Sequence, residues 1–132
     1  MRLARAVFVA AILSAPSVLC AQSADQDSVR TAMIQMKSDL RNLVVAQEAY
    51  FHDHSAYAAN MDGLNFRHSA GVTVTLTATQ NNAWAAEAHS AVIPNWVCGI
   101  YINLAEQYRP KVSVETKAAE GEPRCMTLPE KP

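Results

Sequence analysis

Apolar residues fall at Val29, Met33, Met36, Leu40 and Leu43, in steps of 4, 3, 4 and 3. That spacing places them on one stripe of an α-helix, which Val44, Tyr50 and Phe51 continue. Arg30, Lys37, Asp39, Arg41 and Glu48 lie mostly off the stripe, and no Gly or Pro interrupts residues 25–53. Asp25, Asp27 and Ser28 supply capping groups and early negative charge suited to the positive end of the helix dipole. The pattern predicts one long amphipathic helix, about 25 residues, running to about Asp53. It leads into "HDHSAYAANMDGLNF", a stretch rich in turn formers, with Tyr57, Leu64 and Phe66 as the expected buried anchors.

The period then changes from 3.6 to 2. In "GVTVTLTATQ", Val72, Val74, Leu76 and Ala78 share one face and Thr73, Thr75, Thr77 and Thr79 the other, the signature of a half-buried strand. Gln80-Asn81-Asn82 reads as a turn, and "AWAAEAHS" resumes the alternation with Trp84, Ala86 and Ala88 inward and Glu87 and His89 outward. The two strands form an antiparallel hairpin. "WVCGIYIN" is a third strand, richer in apolar residues and so more buried. "KVSVET" is a candidate fourth, with Val112 and Val114 on one face. The expected fold is α+β: a long N-terminal amphipathic helix packed on a small antiparallel sheet of three or four strands. The domain spans residues 25–125, and residues 126–132 form a loose tail.

What precedes the helix has a different character. "MRLARAVFVAAILSAPSVLCAQS" opens with Arg2 and Arg5, is apolar from Ala6 to Leu13, then turns small and helix-breaking through Ser14, Pro16 and Ser17. Residues 1–22 therefore read as a secretory signal peptide, with cleavage after Cys20, Ala21 or Ser23. The apolar run is too short for a membrane span, which needs about 20 residues. Cys20 suggests an acylated N-terminus as a second outcome, but such sites take a small residue before the cysteine and Leu19 is large. Removing Arg2 and Arg5 from the 11 basic residues leaves 9 against 12 acidic ones, a formal charge of −3. No Lys/Arg block of the kind that tracks phosphates remains, which argues against nucleic acid as a partner.

Export changes the meaning of the cysteines. Cys98 and Cys125, in an oxidising compartment, read as one disulfide rather than a metal site or a redox pair, for which the Cys-x-x-Cys spacing is missing. The stretch from Arg109 to Cys125 has few large apolar residues, so this bridge is expected to be what holds it down.

In order and wording the chain resembles the globular part of type IV pilins and type II secretion pseudopilins, over residues 28–125. "MKSDLRNLVVAQEAYFHDHSAY" is similar to the end of the pilin spine helix and the loop that follows. "GVTVTLTATQNNAWAAEAHS" is similar to the first hairpin, and "CGIYI" with "GEPRC" to the cysteine-bearing strand and closing segment. The resemblance implies the fold, partners among envelope, pilus or secretion proteins, and a cysteine-closed loop used as an exposed recognition surface. The chain departs from the family at its start: the Gly-Phe processing site, the Glu five residues beyond it and the unbroken apolar half-helix are replaced by an export signal.

The sharpest chemical candidate is His52-Asp53-His54, whose imidazoles and carboxylate are ligand types for Zn²⁺ or Cu²⁺. On a helix, positions i and i+2 diverge by about 200°, so the expected reading is a solvated helix end and no metal. His68 and His89 are surface histidines, the latter beside Glu87. Tyr50, Phe51 and Tyr57 are expected in the core, as are Trp96 and Tyr101, which would stack on a ligand only if exposed. No nucleophile elbow, phosphate-cradling Gly loop or paired carboxylates occur, so neither catalysis nor a cofactor is expected. The expected function is an exported, non-enzymatic, pilin-like accessory or structural protein of the envelope. The alternative is a free periplasmic or secreted binding module unrelated to filaments, with metal binding through His52 and His54 as one form of it.

Overall fold

The apolar stripe of the long helix is the face on which the fold is built. In the computed structural model, which describes residues 19–129 with side chains from Asp25 onward, helix α1 spans Leu19–His54. Ala32, Met36, Leu40 and Leu43 are fully covered, and Val29, Met33, Val44 and Tyr50 pack at the margin of the same core. The helix starts before its expected caps: Asp25, Asp27 and Ser28 lie inside it. No Gly or Pro separates Leu19 from Asp25, and Ala21, Gln22 and Ala24 suit a helix, so nothing local stops it there. Most of the expected signal segment, residues 1–18, lies outside the described residues. At the far end Ser55 adopts a left-handed φ of 56°, and its N–H bonds the Phe51 carbonyl at 2.8 Å, a common way to stop a helix.

The sheet is an antiparallel meander in the order β1 (Val72–Gln80), β2 (Ala83–Ser90), β3 (Trp96–Ile102) and β4 (Arg124–Thr127). Val72, Val74, Trp84, Ala86, Ala88, Cys98 and Ile100 join the α1 residues in one core, with Leu76 at its edge. Ala78 does not follow them. The β1–β2 register shifts between Leu76 and Ala78. One extra residue inverts a period of two, so Ala78 instead packs with Ala83, Ala85, Tyr101 and Leu104 on the opposite face.

That opposite face carries a second layer. "KVSVET" is not a strand: residues Lys111–Glu115 form a short helix, α2, preceded by the 3₁₀ turn Glu106–Tyr108. Pro110 lacks the N–H a ladder needs, and its carbonyl accepts from both Ser113 and Val114. Lys111 and Glu115 pair at 3.4 Å one turn apart. The two valines expected on one face diverge, Val112 being 1% exposed and Val114 37%. Val112 seats directly on β3 at Gly99, where an added Cβ would collide with its side chain. The fourth strand is β4, which takes in Met126 and Thr127, residues expected in the loose tail. Residues 109–125 are thus held by more than the bridge, since Val112 and Ala118 are buried and the Gly121 N–H bonds the Tyr101 carbonyl at 3.0 Å.

Two polar side chains of α1 clamp the helix-to-sheet loop. Gln47, fully buried, donates to the Ala58 carbonyl at 3.2 Å and accepts from the Ala58 N–H at 2.8 Å. Asp39, also buried, accepts from the Ser69 N–H at 2.7 Å and from the Ser69 hydroxyl at 3.0 Å. Gln47 satisfies both backbone groups of the buried Ala58, and Asp39 the part-buried N–H of Ser69. Gln47→Ala is expected to cost about 2 kcal/mol in a urea unfolding experiment, because it orphans a buried donor and a buried acceptor together.

Candidate interaction surface on the disulfide-closed segment

Cys98 of β3 and Cys125 of β4 stand directly opposite one another in the ladder and are joined by a disulfide. The chain between them leaves β3, forms the 3₁₀ turn and α2, and returns through Gly121 to β4. Its inner side rests on β3. Its outer side presents Tyr108, 55% exposed, with Val114 and Lys117.

The return from α2 is tightly specified. The Lys117 N–H bonds the Val114 carbonyl at 3.1 Å and the Ala118 N–H the Ser113 carbonyl at 2.8 Å, the paired bonds of a Schellman stop. Lys117 takes the left-handed position of that motif, with φ 51°, where glycine is usual. Tyr101, buried, donates its hydroxyl to the Ala118 carbonyl at 3.1 Å. The Arg109 guanidinium lies 4.3 Å from the Tyr101 ring centre, and Arg109 Nε donates to the Leu104 carbonyl at 2.8 Å. Among the described residues no carboxylate pairs with Arg109 or Lys117. At the loop's end Glu122 accepts from the Ala119 N–H and pairs with Arg124 at 2.8 Å. The Ala119 N–H, helped by Arg124, holds the Glu122 carboxyl below its usual range.

The other candidates from the sequence lie elsewhere. His52 Nδ1 engages Asp53 at 2.9 Å, whereas His54 Nδ1 donates to the Tyr50 carbonyl at 2.9 Å and its ring stacks on Tyr50 with centres 3.9 Å apart. The two imidazoles serve different neighbours, and among the described residues no three His, Cys, Asp or Glu side chains converge as a metal set would. His54 thus closes the helix end, while His52 is solvated. His52→Ala should change stability by less than about 0.5 kcal/mol, and His54→Ala by about 1 kcal/mol through the lost stack. Tight, stoichiometric Zn²⁺ binding lost in both variants would contradict that reading.

His68 and His89 flank one shallow surface pocket beside Gly71, with His89 3.8 Å from Glu87. Trp96 is half-buried against the main core, and the buried Tyr101 stacks on Arg109 rather than on a ligand.

"YFHDHSAY" resolves into a packing corner. Phe51 and Tyr57 lie with ring centres 4.7 Å apart, Tyr57 meets Trp84 edge-on at 6.3 Å, and the Tyr57 hydroxyl donates to Glu48 at 2.7 Å. Burial, then the hydrogen bond to Glu48 and the charges of Glu48 and Glu120, pushes Tyr57 up to about 12. An unfolded tyrosine titrates near about 10. The folded protein therefore holds this proton more firmly, and that stabilisation is complete below pH ~10 and lost as pH rises through ~12. Tyr57→Phe should abolish a late tyrosinate absorbance change and flatten the fall in stability across that window.

Sequence reasoning missed Gln47, Asp39, Arg109, Ser113 and Lys117. Polar residues on or beside an apolar stripe were the available signal for the first two. Of the last three, Ser113 lies in the segment read as a strand, and Arg109 and Lys117 flank it. Among the described residues no helix is long and apolar enough to cross a membrane. No family model matches the sequence, and the comparison with curated proteins found no match.

Proposed function

We propose that this protein is an exported, non-enzymatic, pilin-like component of a bacterial cell envelope that works through protein contacts made by its disulfide-closed segment. The observation that carries the proposal is the Cys98–Cys125 bond. Such bonds persist in oxidising compartments, which agrees with the export-type start of the chain. The bond also closes off a segment whose outer side offers an aromatic, an aliphatic and a cationic residue, a mixture suited to a protein partner. The partners are other envelope, pilus or secretion-system proteins. Export is tested by fractionating cells and sequencing the N-terminus of the recovered protein. The expected product is oxidised and begins between Ala21 and Ala24. A reduced cytoplasmic protein retaining Met1 would overturn the proposal, and an acylated Cys20 would replace a soluble protein with a lipid-anchored one.

A further inference from the structure

The closed segment contains a pocket of about 410 Å³ between the 3₁₀ turn and α2, lined in part by Glu106, Arg109, Ser113 and Lys117. Three features of it bear on what it could hold. Ser113 is 2% exposed, and its hydroxyl has no hydrogen-bond partner among the described residues. A buried hydroxyl left this way is costly, and in native proteins it commonly marks a site whose partner is absent. Lys117 occupies a left-handed backbone position that glycine would take without strain. Arg109 lies over the Tyr101 ring with Nε spent on Leu104, which holds the guanidinium at the pocket without neutralising its charge.

We propose that this pocket binds a carboxylate. Arg109 supplies a planar fork of donors, Lys117 a mobile point charge and Ser113 a hydroxyl donor, the three donor types that match carboxylate oxygens. Glu106 decides between anions. Two cations against one carboxylate leave a single positive charge in excess, which suits a monoanion better than a phosphate dianion. The carboxylate has two possible sources, a free small acid or the acidic side chain or C-terminus of a partner protein. The inference rests on the closed segment being the contact surface, but it is tested on purified protein, so it and the envelope function can fail separately.

The experiment is a ¹H–¹⁵N NMR titration of the purified, disulfide-bonded protein with acetate, with a short peptide bearing a free C-terminus, with the same peptide amidated, and with phosphate. Ionic strength is held constant with sodium chloride, which removes simple screening. Saturable shifts at Arg109 Nε–H and at the amides of residues 113–118 are expected with acetate and with the free-acid peptide. A peptide binding more tightly than acetate identifies a partner chain as the source, and equal affinity a free acid. Lys117→Gly should weaken binding at least tenfold and Ser113→Ala at least threefold, while neither lowers the melting temperature, since one relieves a left-handed residue and the other removes an unpartnered hydroxyl. Shifts that never saturate, an amidated peptide that binds as well as the free acid, tighter binding of phosphate, or affinity unchanged in Lys117→Gly would each overturn the proposal.

Discussion

Trp84→Ala is expected to destabilise the protein by about 3–5 kcal/mol. Trp84 is 0% exposed, lies on β2 beneath α1, and meets Tyr57 edge-on. Truncating it removes the largest buried side chain among the described residues and leaves a void between helix and sheet that neither rigid element can close. Trp84→Phe makes the comparison sharper. The indole Nε1 has no hydrogen-bond partner among the described residues, so the phenyl ring sheds an orphan donor while keeping much of the apolar contact. Its cost should be much smaller, about 1 kcal/mol. Urea unfolding of both variants checks the pair, and an alanine variant losing less than about 1 kcal/mol would contradict the packing of α1 on β2.

Removing the bridge with Cys98→Ala and Cys125→Ala together is expected to cost about 3.5 kcal/mol, from the loop entropy returned to the unfolded chain for a separation of 27 residues. Where the protein loosens first is the more informative result. β4 has four residues at the sheet edge, pairs only with β3, and continues into a single Leu128 N–H bond to the Asn95 carbonyl at 2.7 Å. Residues 111–118 keep Val112 on Gly99, the Schellman bonds and the Tyr101 hydroxyl. Hydrogen exchange in the bridge-free variant should therefore rise first at residues 124–127, with α2 still protected. Exchange rising equally through residues 109–127 would show that the bridge alone holds the segment.

The parts of the fold legible in the sequence were those with an unbroken period. Met36, Leu40 and Leu43 announce the buried helix face, and Val72 with Val74 announces β1, because each repeats over several turns or pleats. Illegible were the places where one local event resets the pattern. The irregularity after Leu76 sends Ala78 to the other face, and no residue type there signals it. Val112 and Val114 alternate as a strand would, yet Pro110 and the seat at Gly99 decide for a helix. That misreading also hid the candidate pocket, since Ser113 and Lys117 come near Arg109 only once α2 turns back on β3. The bond between Cys98 and Cys125 was readable from the expected compartment and the cysteine count, whereas their place as direct ladder partners was not.

The claim that the disulfide-closed segment is the working surface is tested most directly by a photo-crosslinking residue placed at Tyr108, with a control at Val45 on the solvent side of α1. Both positions are well exposed, at 55% and 70%, and neither supports the core, so the variants should fold alike. In intact cells the account predicts a discrete adduct with an envelope protein from position 108 and none from position 45. Adducts confined to position 45, or none at 108 from the correctly exported protein, would contradict it.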